Sequence, residues 1–146
     1  MLPIDPHRAI DTESAMPDRP SPTDRLALLL WGADPSRPEL CATPFSVAAA
    51  AAAMDAEVEI HFAARSVTLL LERHQHAKVG GQASSQDIGW FMRQARAAGV
   101  RFVACHASMD AWEVDPSACT AWLDGLSGST AFAARVLDPA WRTLVF

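Results

Sequence analysis

Apolar and polar positions change character at Arg25. Leu26-Ala27-Leu28-Leu29-Leu30-Trp31 is a continuous apolar run, closed by the turn signal Gly32-Ala33-Asp34-Pro35. Such a run fits a strand buried on both faces, the kind found in a parallel sheet with helices above and below. Thr43 then predicts an N-cap, with Pro44 at the first helical position. The helix passes through Val47, the alanines 48–53 and Met54. A run of alanines favours helix and leaves a thin surface that lies close to a sheet or a neighbouring subunit. Val58, Ile60 and Phe62 alternate with Glu59 and His61, the pattern of a half-buried second strand.

Ser66 predicts the cap of a short helix through Val67, Leu70 and Leu71. A polar stretch from Glu72 to Ser84 follows and contains Gly80-Gly81, a loop long enough to be functional or mobile. Ser84 or Ser85 opens the next helix, in which Ile88, Phe91, Met92 and Ala95 share one face and Gly99 is the stop. Val100–Cys105 reads as the third strand, and Ser108 as the cap of a short helix behind it. Asp115-Pro116 starts another helix, with Cys119, Trp122, Leu123 and Leu126 on its apolar face and Gly125 and Gly128 at its end. Ala131–Leu137 predicts one more helix, and Thr143–Phe146 a final strand. Strands alternating with helices imply an α/β fold with a mostly parallel sheet. Internal repeats and a heptad seam are both lacking.

Residues 1–24 are different. They hold Pro3, Pro6, Pro17, Pro20 and Pro22, half of the ten prolines, and few large apolar groups, so a flexible tail is expected there and a single domain over 25–146. Half of the 146 residues are hydrophobic, enough for a proper core. With 17 acidic against 12 basic side chains, the formal charge is −5, which offers neither nucleic acid nor an anionic membrane an electrostatic footprint. The apolar stretches fall well short of the roughly 20 residues that span a bilayer. An acidic N-terminus without an apolar core does not read as a signal peptide, so the expected setting is a reducing cytoplasm.

In parallel sheets the working groups sit at the carboxyl ends of strands, here Trp31–Asp34, Phe62–Arg65 and Cys105–Ser108. Cys105 is the first candidate catalytic residue: amides at the start of a following helix favour its thiolate. The other reading, a small buried hydrophobe, stays open beside it. Cys41 precedes the first helix at the same edge; if the first and third strands are neighbours, it faces the crevice of Cys105, and otherwise it is an incidental loop cysteine. His106, Ser108 and Asp34 are the expected pocket residues. Cys119 shares an apolar face and reads as core. His74-Gln75-His76 lacks the acid or cysteine partners of a metal site, so no metal or cofactor is expected. Dinucleotide, Walker and nucleophile-elbow motifs are missing. Arg65 and Arg101 are placed either to meet an anion or to form surface ion pairs. Five tryptophans in a chain without tyrosine, Trp90 among them on the less apolar side of its helix, point to a homo-oligomer.

Gly99-Val100-Arg101-Phe102-Val103-Ala104-Cys105-His106-Ala107-Ser108-Met109 resembles the cysteine-bearing segment of the DsrE/DsrF-like family. Ser127-Gly128-Ser129-Thr130-Ala131-Phe132 and Trp141–Phe146 resemble its last helix and strand, and the resemblance covers about residues 25–146. It implies a flavodoxin-like three-layer sandwich assembled as trimers or hexamers. It also implies a soluble sulfur carrier or sulfurtransferase that holds a persulfide on Cys105, exchanging sulfur with a rhodanese or a TusA-like carrier. A glycine often follows the family's cysteine segment, where this chain has Trp112-Glu113-Val114. The extra apolar segments of membrane-associated relatives are missing here. A cysteine at a strand end, under a lid formed by Glu72–Ser84, suits the role. The alternatives are an oligomeric binding module for a small anion or metabolite, and a structural partner subunit.

Overall fold

The computed structural model describes residues 24–146; the expected tail, apart from Asp24, lies outside the described residues. Five strands form one parallel sheet: β1 (Arg25–Leu30), β2 (Glu57–Phe62), β3 (Arg101–Cys105), β4 (Gly125–Ser127) and β5 (Trp141–Val145). Their order is β4-β3-β2-β1-β5, which puts β2 at the centre. The helices are α1 (Ala42–Ala53), α2 (Glu72–Gln75), α3 (Ile88–Ala97), α4 (His106–Ala111) and α5 (Ser129–Leu137). Short 3-10 turns occupy Pro38–Leu40, Ala64–Leu70 and Pro116–Cys119.

Alternation along the strands splits the sheet into two faces. Leu28, Ile60 and Phe102 stand in register across β1, β2 and β3, and Phe45 of α1 packs on this side. Its ring lies 6.1 Å from Phe62 and 5.9 Å from Phe102, and all three rings are fully buried. Each such side chain contributes about 1.5–3 kcal/mol of burial. Met92 and Ile88 of α3 belong to the same core, as do Leu69 and Leu70. The opposite face carries Leu29, Glu59 and His61 and is covered by α5, whose Phe132 meets His61. Helices on both faces of a parallel sheet make the three-layer α/β sandwich that the alternating pattern implies.

Several boundaries move. α1 starts at Ala42, with Cys41 rather than Thr43 in the N-cap position, because the Pro38–Leu40 turn leads straight into it through Cys41 N–H to Pro38 O at 3.0 Å. Asp87, not Ser84 or Ser85, caps α3, its Oδ1 accepting from Trp90 N–H at 2.7 Å. Gly99 follows α3 at φ +92°, the left-handed position that suits glycine. The helix expected through Cys119, Trp122, Leu123 and Leu126 does not form. Asp124 accepts from Phe102 N–H at 2.7 Å and pairs with Arg96, which draws the chain beside β3 as the short strand β4. β2 is buried on both faces rather than half-buried, since strands flank it and helices cover it above and below. Trp90 is half-buried against Phe91, while Trp31 and Trp112 are the exposed tryptophans.

Candidate active site

Strand parity decides which side chains meet. Register pairs Glu59 with Arg101 and His61 with Val103, so Glu59, His61, Arg101, Val103 and Cys105 share the α5 face. The route of the chain adds the cover. After β4 it crosses back over β3, β2 and β1 to place β5 at the far edge, and α5 is the crossing element. No α5 side chain is fully buried, so the helix stands off the sheet and leaves a cavity of about 420 Å³.

The sheet contributes Leu29, His61 and Cys105 to that cavity, with Phe62 and Ala63 at the end of β2. Ser127, Gly128 and Ser129 form the turn into α5, and Phe132, Ala133, Val136 and Leu137 form the helical wall. Val136 and Leu137 are 54% and 82% exposed and mark its outer rim. None of the described residues lining the cavity is an Asp, Glu, Lys or Arg.

Cys105 ends β3, stands at the N-cap position of α4 without a capping hydrogen bond from its side chain, and is half-buried. Behind the cavity wall lies a buried polar network. His61 Nε2 is 3.0 Å from Glu59 Oε2, with side chains only 6% and 3% exposed. Arg135 of α5 grips the same carboxylate with two bonds, Nε to Oε2 and Nη2 to Oε1, each 3.0 Å; Arg101 adds Nη1 to Oε1 at 3.2 Å. Burial alone would raise the Glu59 pKa. Hydrogen bonds from His61 and Arg135 and the Arg135 charge outweigh it and hold the carboxyl down at about 2. The same bonds push Arg135 further up, and its guanidinium lies 4.2 Å above the Trp141 ring. A carboxylate at Nε2 makes that nitrogen a donor, and in the neutral ring Nδ1 is then the acceptor. His61 Nδ1 is buried and has no hydrogen-bond partner among the described residues.

The other expected site residues lie elsewhere. Cys41 is fully buried in the core under the opposite face, its thiol donating to Asp34 O at 3.4 Å. Burial pushes its pKa up to about 11. β2 separates β1 from β3, so the neighbouring arrangement that would have joined Cys41 to Cys105 does not arise. Asp34 turns to Ser36, accepting at 2.8 Å from both N–H and hydroxyl, and to Arg65 Nη1 at 2.8 Å. The Ser36 backbone bond, with help from its hydroxyl and from Arg65, holds the carboxyl below its usual range against the opposing effect of burial. His106 is exposed, with Nδ1 3.5 Å from Asp110. Ser108 Oγ accepts from Ala64 N–H at 2.8 Å and pins a residue held at φ 51°. Cys119 is core, its thiol pKa raised by burial and by Asp115. Arg65 and Arg101 are both in ion pairs. No residue of Glu72–Ser84 lines the cavity, because α2 and the Lys78–Asp87 bridge hold that segment against the other side of the fold. Glu59, His61, Arg135 and Phe132 were absent from the expected site. The available signal was a Glu and a His two apart on one strand, with an arginine opposite on the next.

Comparison with known proteins follows the same outline. The family model described as DsrE/DsrF-like matches residues 27–146. No curated protein matches the chain. Among solved structures it is similar to the YchN protein from E. coli, at 13% identity and a TM-score of 0.64, over 85% of this chain and 99% of that one. At that identity the likeness concerns the fold.

Proposed function

The chain belongs to the DsrE/DsrF-like family, and from that premise we propose that it is a sulfur carrier that holds sulfur as a persulfide on Cys105 and relays it between partner proteins. Family membership supports a role related to sulfur relay. The observation that carries the finer reading is the contrast among the three thiols. Cys105 is the half-buried one and lines the cavity, whereas Cys41 and Cys119 are fully buried with raised pKa values. A carrier needs a thiol that a partner's sulfur can reach and that bulk water and oxidant reach poorly. The strand end beneath α5 supplies both. Against a small-anion binding module stands the cavity wall itself, whose described residues include no Lys or Arg to pair an anion.

A rhodanese or a TusA-like protein is the proposed class of donor and acceptor, in a cytoplasmic setting where three free thiols stay reduced. No helix among the described residues is long and apolar enough to cross a membrane. Homotrimer or homohexamer is the proposed assembly. Its support is the exposed apolar set Leu126, Val136, Leu137, Leu144 and Val145 on β4, α5 and β5. Intact and native mass spectrometry after incubation with polysulfide or a persulfidated donor protein tests the reading. The expected result is one added sulfur per chain in an oligomer, lost in Cys105→Ser and kept in Cys119→Ser. An unmodified wild type overturns the carrier reading, and a monomer at micromolar concentration overturns the assembly.

A further inference from the structure

Three features of the Cys105 cavity do not follow from docking a partner protein. At about 420 Å³ it is far larger than the passage a partner's thiol needs. A dry apolar cavity of about 150 Å³ already holds a benzene ring. Its wall is mostly aliphatic and aromatic, from Leu29, Phe132, Val136 and Leu137, with Ser127 and Ser129 at the turn into α5 and no Asp, Glu, Lys or Arg among the described residues that line it. Its ring of His61 carries a buried Nδ1 without a hydrogen-bond partner among the described residues, and in the neutral ring the Glu59 carboxylate at Nε2 leaves Nδ1 the acceptor.

From these we infer that the cavity is a small-molecule site for an uncharged, apolar organic persulfide, R–S–S–H, which delivers its terminal sulfur to Cys105. The inference rests on the carrier reading above and names the substrate class of that same site. The aryl or alkyl group R fills the space between the sheet and α5. The S–H is the kind of donor the partnerless Nδ1 calls for. In the transfer the Cys105 thiolate attacks the terminal sulfur, a new Cys105 S–S bond forms, and the R–S bond to that sulfur breaks. The electron pair leaves on R–S⁻, which takes up the proton released when the Cys105 thiol ionised. The balance is R–S–S–H plus Cys105–SH giving R–SH plus Cys105–S–S–H, with no external oxidant or reductant. Persulfides bearing carboxylates are excluded by the same wall: an unpaired charge enters an apolar cavity only at a large penalty.

The test uses the full-length protein with benzyl hydropersulfide and glutathione persulfide as donors. Sulfur gained at Cys105 is followed by intact mass, and each rate is normalised to that donor's rate with free cysteine. The benzyl donor is expected to load Cys105 about tenfold faster or more after normalisation, since only its rival has carboxylates on R to bring into the cavity. Ala133→Phe, which fills space on the helical wall, is expected to bring the normalised benzyl rate down to the glutathione rate or below it; its melting curve confirms that the variant folds. Unreactive benzyl methyl sulfide is expected to stabilise wild type and Cys105→Ser thermally, but not Ala133→Phe. Equal normalised rates, or a preference that survives Ala133→Phe, overturn the inference and leave the carrier reading standing. No sulfur on Cys105 from either donor overturns both.

Discussion

Replacing Glu59 by Gln keeps the shape of the buried network and removes its charge. The carboxyl is held at about 2 against an ordinary value of 4.5. A depression of that size corresponds to about 3 kcal/mol of stability. Because the folded-state pKa is lowered, this contribution is complete above pH 4.5 and fades as pH falls from there towards 2. By linkage, Glu59→Gln is expected to cost about 3 kcal/mol at pH 7 and about half of that at pH 3. The figure belongs to a side chain 3% exposed. Arg135 and Arg101, at 33% and 51%, are partly solvated, so their own share is screened. His61 is the remaining titratable group against the carboxylate, from the same strand. Urea titrations of wild type and variant at pH 7, 5, 4 and 3, followed by tryptophan fluorescence, read the difference directly and cancel the other carboxylates. A cost below about 1 kcal/mol at pH 7 would place the pair in the range of solvent-exposed ion pairs and refute a buried, clamped carboxylate. A cost that does not change between pH 7 and pH 3 would assign the loss to packing instead.

Thiol labelling is expected to separate the three cysteines. Cys105 reacts with Ellman's reagent at native pH, while Cys41, with its pKa near 11, holds only about 3 thiolates in 10,000 at pH 7.5 as long as the fold stays closed around it. Fast labelling of Cys41 or Cys119, mapped by peptide mass, would contradict this ranking. Ser108→Ala is expected to destabilise the fold by about 1–2 kcal/mol in urea, because the Ala64 N–H loses its acceptor. Sulfur loading of Cys105 in that variant is expected to stay at the wild-type level, and a selective loss of loading with unchanged stability would return Ser108 to the pocket.

Particular residues show why some of this was legible and some was not. The Leu26–Trp31 run and the Val100–Cys105 strand are local signals, each a continuous or alternating apolar stretch bounded by glycine, proline or a polar turn. Cys105 at a carboxyl strand end followed from them without any knowledge of strand order. Everything that depends on order was hidden. Cys41 was linked to Cys105 only on the condition that β1 adjoin β3, and β2 lies between them. β4 spans three residues whose one large apolar side chain, Leu126, is exposed, so its existence rests on pairing with β3 and on Asp124 rather than on pattern. Glu59 and His61 illustrate the deeper reason. A polar residue every second position signals solvent only for a strand with one covered face. In the central strand of a sheet covered on both sides, the same alternation is a buried charge, and burial is tolerable because Arg135, 76 residues away, joins Arg101 and His61 on the carboxylate. That arginine sits on the helix which also roofs the cavity. The clamp on Glu59 therefore fixes the height of α5 above the sheet, and with it the space in front of Cys105.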